Sequence, residues 1–155
     1  NSTLDFTSAF VTKEHSTIEL KQLEAYVDGY VDKPTYVNGF NIASVVARER
    51  SGDCTEYAVL LAALSRSIGL AARVVIGTVI LEENDMVRAF GHAWVEVWHD
   101  QQWNTIDAAL YKSSAIQHFY LPAAALENEG PGFIMSLAGA TRMLPIKISA
   151  LQNSK

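Results

Sequence analysis

The stretch that decides the fold is Ser51-Gly52-Asp53-Cys54-Thr55-Glu56-Tyr57-Ala58-Val59-Leu60-Leu61-Ala62-Ala63-Leu64-Ser65-Arg66-Ser67-Ile68-Gly69. Cys54 is the chain's only cysteine, and it stands where a Gly-Asp turn gives way to a long apolar run. Tyr57, Ala58, Leu60, Leu61, Ala62, Ala63, Leu64 and Ile68 leave little polar face, so the spacing predicts a helix from about Cys54 to Ile68, buried on most sides. Gly69 ends it from the position after the C-cap, where a left-handed residue is favoured. A thiol at a helix start meets the unpaired N–H groups of the first turn and the positive end of the helix dipole, and both favour thiolate. The same N–H groups are donors for an oxyanion, and Gly52 lets the backbone turn sharply just before the sulfur. A lone cysteine is more often a small buried hydrophobe. It is the Gly-Asp-Cys helix start that speaks for a nucleophile here.

Towards the C-terminus, Ala72–Leu81 is rich in β-branched residues and reads as a strand, Glu82–Arg88 as a charged loop. His92–Trp98 and Trp103–Asp107 read as two strands around a His-Asp-Gln-Gln turn. In the first of these, His92, Trp94, Glu96 and Trp98 share one face, while Ala93, Val95 and Val97 share the other as core. A hairpin with an even-residue turn sets even positions of the first strand against odd positions of the second. His92 and Asp107 then lie on one face, directly opposed or one diagonal apart, within reach of a carboxylate–imidazole hydrogen bond. Asp107 would fix the tautomer and orientation of the ring, as the acid of a triad does. Taken singly, His92 is more often a structural histidine and Asp107 a turn residue. The coincidence of nucleophile, base and orienting acid points to catalysis.

Towards the N-terminus, Asn41 can cap a short helix with Ile42, Val45 and Val46 as its stripe, ending near Arg50. Thr35–Gly39 is a loop, after Asp32-Lys33-Pro34 has broken a first helix. That helix starts at the capping-box pattern Ser16-Thr17-Ile18-Glu19 and carries Leu20, Leu23, Val27, Tyr30 and Val31 at helical spacing. Residues 1–15 could be a short strand or an extended arm. Beyond Ala108 the signal weakens: Pro122–Gly132 reads as a loop or frayed helix, and Met143–Leu151 as a last strand with Pro145 at an edge.

The chain's 155 residues, 49% of them hydrophobic, fit one domain over residues 1–155 with a sizeable core. A net charge of -5 and a pI near 5.3 leave no electrostatic footprint for nucleic acid or an anionic membrane. No apolar run approaches the roughly 18–20 residues of a membrane span. One cysteine excludes an intrachain disulfide. The single cysteine and the four histidines have no Cys-x-x-Cys or His-x-x-x-His spacing, so neither a metal nor another cofactor is expected. The start at Asn1, without Met and unlike a signal peptide, reads as a domain excised or processed from a longer protein.

Several further residues are candidates around the triad. Trp94 and Trp103 could wall a cleft, although large aromatics on a sheet are more often ordinary packing. Glu96 could be a partner for Arg73 or a support to the site. Asp53 and Glu56, in the first helical turn, suit the dipole but would oppose thiolate formation, so a matched imidazolium is needed. Tyr36, Asn38 or Asn41 could add a side-chain oxyanion donor, and sequence alone does not choose among them. His118 could line the cleft or be structural, and His15 and His99 read as surface residues.

Ser51-Gly52-Asp53-Cys54-Thr55-Glu56-Tyr57-Ala58, Leu61-Ala62-Ala63-Leu64, Gly69-Leu70-Ala71-Ala72-Arg73-Val74-Val75, Gly91-His92-Ala93-Trp94-Val95-Glu96-Val97, and then Trp103 and Asp107, resemble the core of the transglutaminase-like superfamily, most closely its bacterial branch. The resemblance covers about residues 36–120. The order Cys, His, Asp, with steps of 38 and then 15 residues, is also similar to the family's. It implies an α+β fold of papain-like type: a central helix carrying the cysteine, packed on an antiparallel sheet, with flanking N-terminal helices. It implies Cys54 as nucleophile, His92 as base and then acid, and Asp107 as orienter, acting through a thioester on a peptide or protein substrate. Domains of this kind are often exported or membrane-tethered in bacteria, which implies the same setting here.

The sequence also departs from the family's pattern. Thr55 stands where the animal crosslinking enzymes have Trp, and nothing offers their calcium sites. Ala108-Ala109 follows Asp107 where many relatives have Asp-Pro. Amide hydrolysis, as in a cysteine peptidase or amidase, is therefore expected ahead of protein crosslinking. Transamidation with a small amine, and a non-catalytic module that binds peptides through the cleft, are the alternatives.

Overall fold

A computed structural model describes residues 20–35, 41–83, 86–115, 117–126, 135, 138–140 and 142–145. In chain order the elements are helix α1 (Leu20–Tyr30), strand β1 (Lys33–Pro34), helix α2 (Ala43–Glu49), strand β2 (Ser51–Gly52), helix α3 (Cys54–Ser67), and strands β3 (Ala71–Glu83), β4 (Met86–His99), β5 (Gln102–Ile106) and β6 (Gln117–Leu126). The architecture is mixed helix and strand, with the cysteine-bearing α3 packed on an antiparallel sheet ordered β5-β4-β3-β6.

The alternation read in β4 sets the core. Ala93, Val95 and Val97 pack with Val74 and Ile76 of β3 and with Ala58, Leu61 and Ala62 of α3. Leu23 and Val27 of α1, and Val46 and Ala47 of α2, close the same cluster. α3 is buried along most of its length because its apolar residues recur on nearly every side. It ends as expected, with Ile68 as C-cap and Gly69 at φ +89°.

Two short devices fix the approach to Cys54. β1 and β2 pair in parallel, with Thr35 N–H donating to Gly52 O at 2.9 Å and Lys33 N–H to Arg50 O at 3.1 Å. Arg50, left-handed at φ 55°, ties the end of α1 to this ribbon: its Nε donates to Tyr30 O at 2.9 Å and its guanidinium pairs with Asp32 at 2.9 Å.

Several sequence expectations are corrected. The α2 helix starts one residue later than its stripe suggests, with Ile42 as N-cap and no side-chain cap, so Asn41 does not cap it. Residues 82, 83 and 86–88 are strand rather than loop: β3 and β4 run on in register to Glu83↔Met86, and the charges pair across the strands, Arg88 with Glu83 at 3.1 Å. Pro122–Leu126 belongs to β6, read from sequence as part of a loop or frayed helix. Pro122 lies opposite Gly77 at an irregularity of the register, and β6 is an edge strand, where a residue without N–H is tolerated. Of the expected last strand, Met143 is turn, Leu144 bend and Pro145 irregular, and 146–151 lie outside the described residues. The capping box at Ser16–Glu19, the arm over 1–15 and the loop residues 36–39 also lie outside them.

Candidate active site

α3 delivers Cys54 at its first residue, with Asp53 as N-cap. The Asp53 side chain accepts from Thr55 N–H at 3.0 Å and from Glu56 N–H, and the Glu56 carboxylate accepts Asp53 N–H at 3.1 Å, completing a capping box. Tyr57 N–H returns to Asp53 O at 3.0 Å. Three of the first-turn donors are thereby consumed. The Cys54 N–H has no partner among the described residues, so the first-turn donor left open to an anion is that of Cys54 itself. Sequence reasoning offered the whole first turn; the capping box reduces it to one group.

Glu56 is almost wholly buried and accepts Asn41 N–H at 2.8 Å as well as Asp53 N–H. Burial pushes its pKa up, and these hydrogen bonds and Asp53 act on it besides. It anchors the segment before α2 to the cysteine turn. Gly52 is obligatory beside it: at φ +153°, a Cβ would collide with Cβ and Cγ of Glu56.

β4 supplies His92 and the end of β5 supplies Asp107. The hairpin between them closes on Asp100 and Gln101 at φ 52° and 63°, a type I′ turn, with Trp98↔Trp103 and Val95↔Ile106 as partners. Extending that register places Asp107 opposite Trp94, one diagonal from His92. His92 Nε2 and Asp107 Oδ2 are 2.7 Å apart, and both residues are buried. Oδ1 of Asp107 accepts Ala109 N–H at 3.1 Å and Leu110 N–H at 3.2 Å. With Nε2 engaged, Nδ1 is the ring atom left for Cys54, which lines the same cavity as His92. Burial works against the charged ring, but the Asp107 carboxylate and Cys54 outweigh it and push the His92 pKa from 6.5 up to about 9.

Two groups that sequence reasoning missed hold Asp107 from behind. Tyr120 of β6 donates its hydroxyl to Oδ2 at 3.0 Å, and Glu24 of α1 accepts Asp107 N–H at 2.6 Å. Burial first, and then the Asp107 charge, raise the Tyr120 pKa, so the hydroxyl stays a donor. The Glu24 carboxyl is raised by burial and by Asp107, against the lowering effect of its hydrogen bond and of Lys21. Glu24 was detectable as an acid inside the apolar stripe Leu20, Leu23, Val27, Val31. Tyr120 gave no such signal, because β6 itself was not read.

A cavity of about 410 Å³ opens over the cysteine, lined by Pro34, Thr35, Asp53, Cys54, Tyr57, Phe90, Gly91, His92 and Leu110 among others. A second, of about 540 Å³, lies behind the acid, between Lys21, Glu24, Asp107, Tyr111, His118 and Tyr120. His118 borders this second cavity, and its Nε2 is buried without a partner among the described residues.

The remaining candidates fall elsewhere. Trp94 is buried against Tyr120, with ring centroids 5.1 Å apart, and lines neither cavity. Trp103 is half exposed beside Trp98 and under the Arg73 guanidinium, and does not line the cavity over Cys54. Glu96 pairs with Arg73 at 2.7 Å. Asn41 meets the site only through Glu56, and Thr55 is buried with its N–H given to Asp53. His99 is half buried and pairs with Asp100 at 3.3 Å. Among the described residues no cluster of His, Cys, Asp and Glu could hold a metal, and no helix is long and apolar enough to cross a membrane.

No curated protein matches the chain. Among solved structures it is similar to a putative cysteine protease from Cytophaga hutchinsonii, at 16% identity and a TM-score of 0.55. The match covers 81% of this chain and 51% of that one, so the chain spans about half the length of that protein. At this identity the likeness speaks for the fold. The family model of the transglutaminase-like superfamily matches residues 6–108, which include Cys54, His92 and Asp107 and support cysteine-based catalysis at the level of the family. The chain belongs to the transglutaminase-like superfamily.

Proposed function

We propose that the chain is a cysteine-dependent acyl-transfer enzyme that hydrolyses peptide or amide bonds through a thioester. The observation that carries this reading is the His92 ring, tied through Nε2 to Asp107 at 2.7 Å and facing with Cys54 a cavity of substrate size.

Cys54 Sγ attacks the carbonyl carbon, and the electron pair of the C=O bond moves to oxygen, where the Cys54 N–H receives it. His92 gives its Nδ1 proton to the leaving nitrogen, the C–N bond breaks, and the acyl group stays on sulfur. Water then attacks the thioester, losing a proton to Nδ1. The C–S bond breaks, the acid departs, and the thiolate–imidazolium pair is restored. Asp107 holds the ring in the tautomer that keeps Nδ1 directed at sulfur. A His92 pKa near 9 suits the first half of this cycle, in which the ring must carry a proton.

Intact-mass analysis of the protein incubated with a peptide library tests the reading. An acyl adduct on Cys54 that turns over to free acid is expected, with loss of both adduct and cleavage in Cys54→Ala. Conjugates to an added primary amine, formed in preference to acid, would move the assignment to transamidation. Cleavage by Cys54→Ala at the parent's rate would rule the mechanism out.

A further inference from the structure

β4 carries more than the histidine. β5 pairs only with Val95–His99, so among the described residues the earlier half of β4 has a strand neighbour on one side alone, β3. The direction of its backbone groups follows from the hairpin. In a two-residue type I′ hairpin the closing pair, here His99↔Gln102, exchanges both hydrogen bonds, so the N–H and C=O of His99 point to β5. The β3–β4 register runs without a break from Ala71↔Trp98 to Glu83↔Met86, so every second residue of β4 points the same way. Val87, Ala89 and Gly91 therefore direct their N–H and C=O to the open side. None of them has a backbone partner there among the described residues.

Leu144 packs against Gly91, where a Cβ would meet its Cδ1, but Met86–Phe90 carries none of the usual guards of an edge. Natural edge strands are shielded by Lys, Pro or bulges, because an open row of donors and acceptors recruits another strand. Met86-Val87-Arg88-Ala89-Phe90-Gly91 has no Pro, no Lys and no bulge, and its one charge is paired across the strands with Glu83. Met86 and Val87 are about two-thirds exposed, and Phe90 is 41% exposed. The edge leads directly into the cavity over Cys54: Phe90, Gly91 and His92 are consecutive residues of its wall. Phe90 stands edge-on to the His92 ring at 6.0 Å.

We infer that the substrate is an extended polypeptide segment that adds to β4 as a strand, pairing its backbone with Val87, Ala89 and Gly91 while the scissile carbonyl lies at Cys54. The inference rests on the acyl-transfer reading and deepens it. Main-chain pairing would supply affinity with little demand on sequence, and Phe90 would take the nearest side chain. From Val87 to Gly91 the edge is four strand steps long, about 13 Å, room for pairing with three or four substrate residues. A small free amide has nothing to place along it.

Epoxysuccinyl reagents test this on the intact chain. They alkylate a thiolate when sulfur opens the epoxide, the C–O bond breaking and the alkoxide taking a proton, and a peptide arm can be built on either end. The expected result is that a three-residue arm on one end speeds Cys54 inactivation at least about tenfold over the armless reagent. N-methylation of alternate residues in that arm should abolish the gain, and methylation of the intervening residues should leave it. Ala89→Pro, which removes an outward N–H and no β3 bond, should lower the ratio of armed to armless rates, each variant being its own reference. Equal rates for armed and armless reagents, or a gain indifferent to the methylation pattern, overturn strand addition while leaving the catalytic reading intact. Armless labelling that does not depend on His92 overturns both. A dimer whose formation blocks the armed reagent at micromolar protein would assign the edge to a second copy of this chain instead.

Discussion

The Glu24 carboxylate accepts the backbone N–H of Asp107 at 2.6 Å, joining α1 to the end of β5 across 83 residues of sequence. Among the described residues nothing between β5 and β6 belongs to a helix or strand, so Asp107 leaves the sheet at this point and needs an anchor. Glu24 supplies it at the backbone, and Tyr120 at the side chain. Glu24→Ala removes the acceptor for a buried N–H, a loss of about 1–3 kcal/mol. Urea unfolding should register that loss, with a fall in Cys54 alkylation rate at pH 6. Glu24→Gln keeps an acceptor oxygen and should recover most of both.

Tyr120 and His92 donate to one oxygen, Oδ2 of Asp107. Removing the hydroxyl leaves more of the carboxylate's charge to the ring, which favours imidazolium. The His92 pKa should therefore rise further in Tyr120→Phe, by some tenths of a unit to about one unit. Titration of the ring by NMR reads this directly. A fall would show that Tyr120 acts chiefly by keeping water from Asp107.

His92 also couples the site to stability. Its pKa is higher in the fold, about 9, than the ordinary 6.5, so the folded state holds the proton more tightly. The resulting stabilisation is complete below about pH 6.5 and is lost as pH rises through about 9, a swing on the order of 3 kcal/mol. Urea midpoints at pH 6 and pH 9.5 should differ accordingly in the parent. They should differ much less in His92→Gln, whose side chain does not titrate.

Gly52→Ala should destabilise by at least about 2 kcal/mol, because the added Cβ meets the Glu56 side chain in a backbone conformation that L-residues avoid. Glu56 would have to leave Asp53 and Asn41. Thermal unfolding gives the loss, and accelerated proteolysis around residue 52 would locate it.

What was legible in the sequence was local or periodic. The Cys54 helix followed from its apolar run and from the Gly residues on either side of it. The relation of His92 to Asp107 followed from strand parity, because a side-chain period of two survives any even-residue turn. What was not legible depended on distant pairing. Glu82, Glu83 and Arg88 looked like a loop because charges usually face water, yet here they sit on paired strands. β6 was hidden by Pro122 and three alanines, residues of weak strand preference that are tolerated on an edge. With β6 unread, Tyr120 could not be brought to Asp107. Asn41 and Trp103 were drawn towards the site by closeness in sequence; the fold ties Asn41 to it through its backbone N–H on Glu56 and sets Trp103 beside Trp98 and Arg73.

The central claim is that Cys54 and His92 act as one unit. Its most direct test is the initial rate of iodoacetamide alkylation of Cys54 at pH 6, in the parent and in His92→Ala, with both shown folded by circular dichroism. The account predicts that the parent reacts at least about tenfold faster, since an imidazolium beside the sulfur favours its nucleophilic form. Equal rates in two folded proteins would contradict it, leaving Cys54 an ordinary thiol and His92 a structural neighbour.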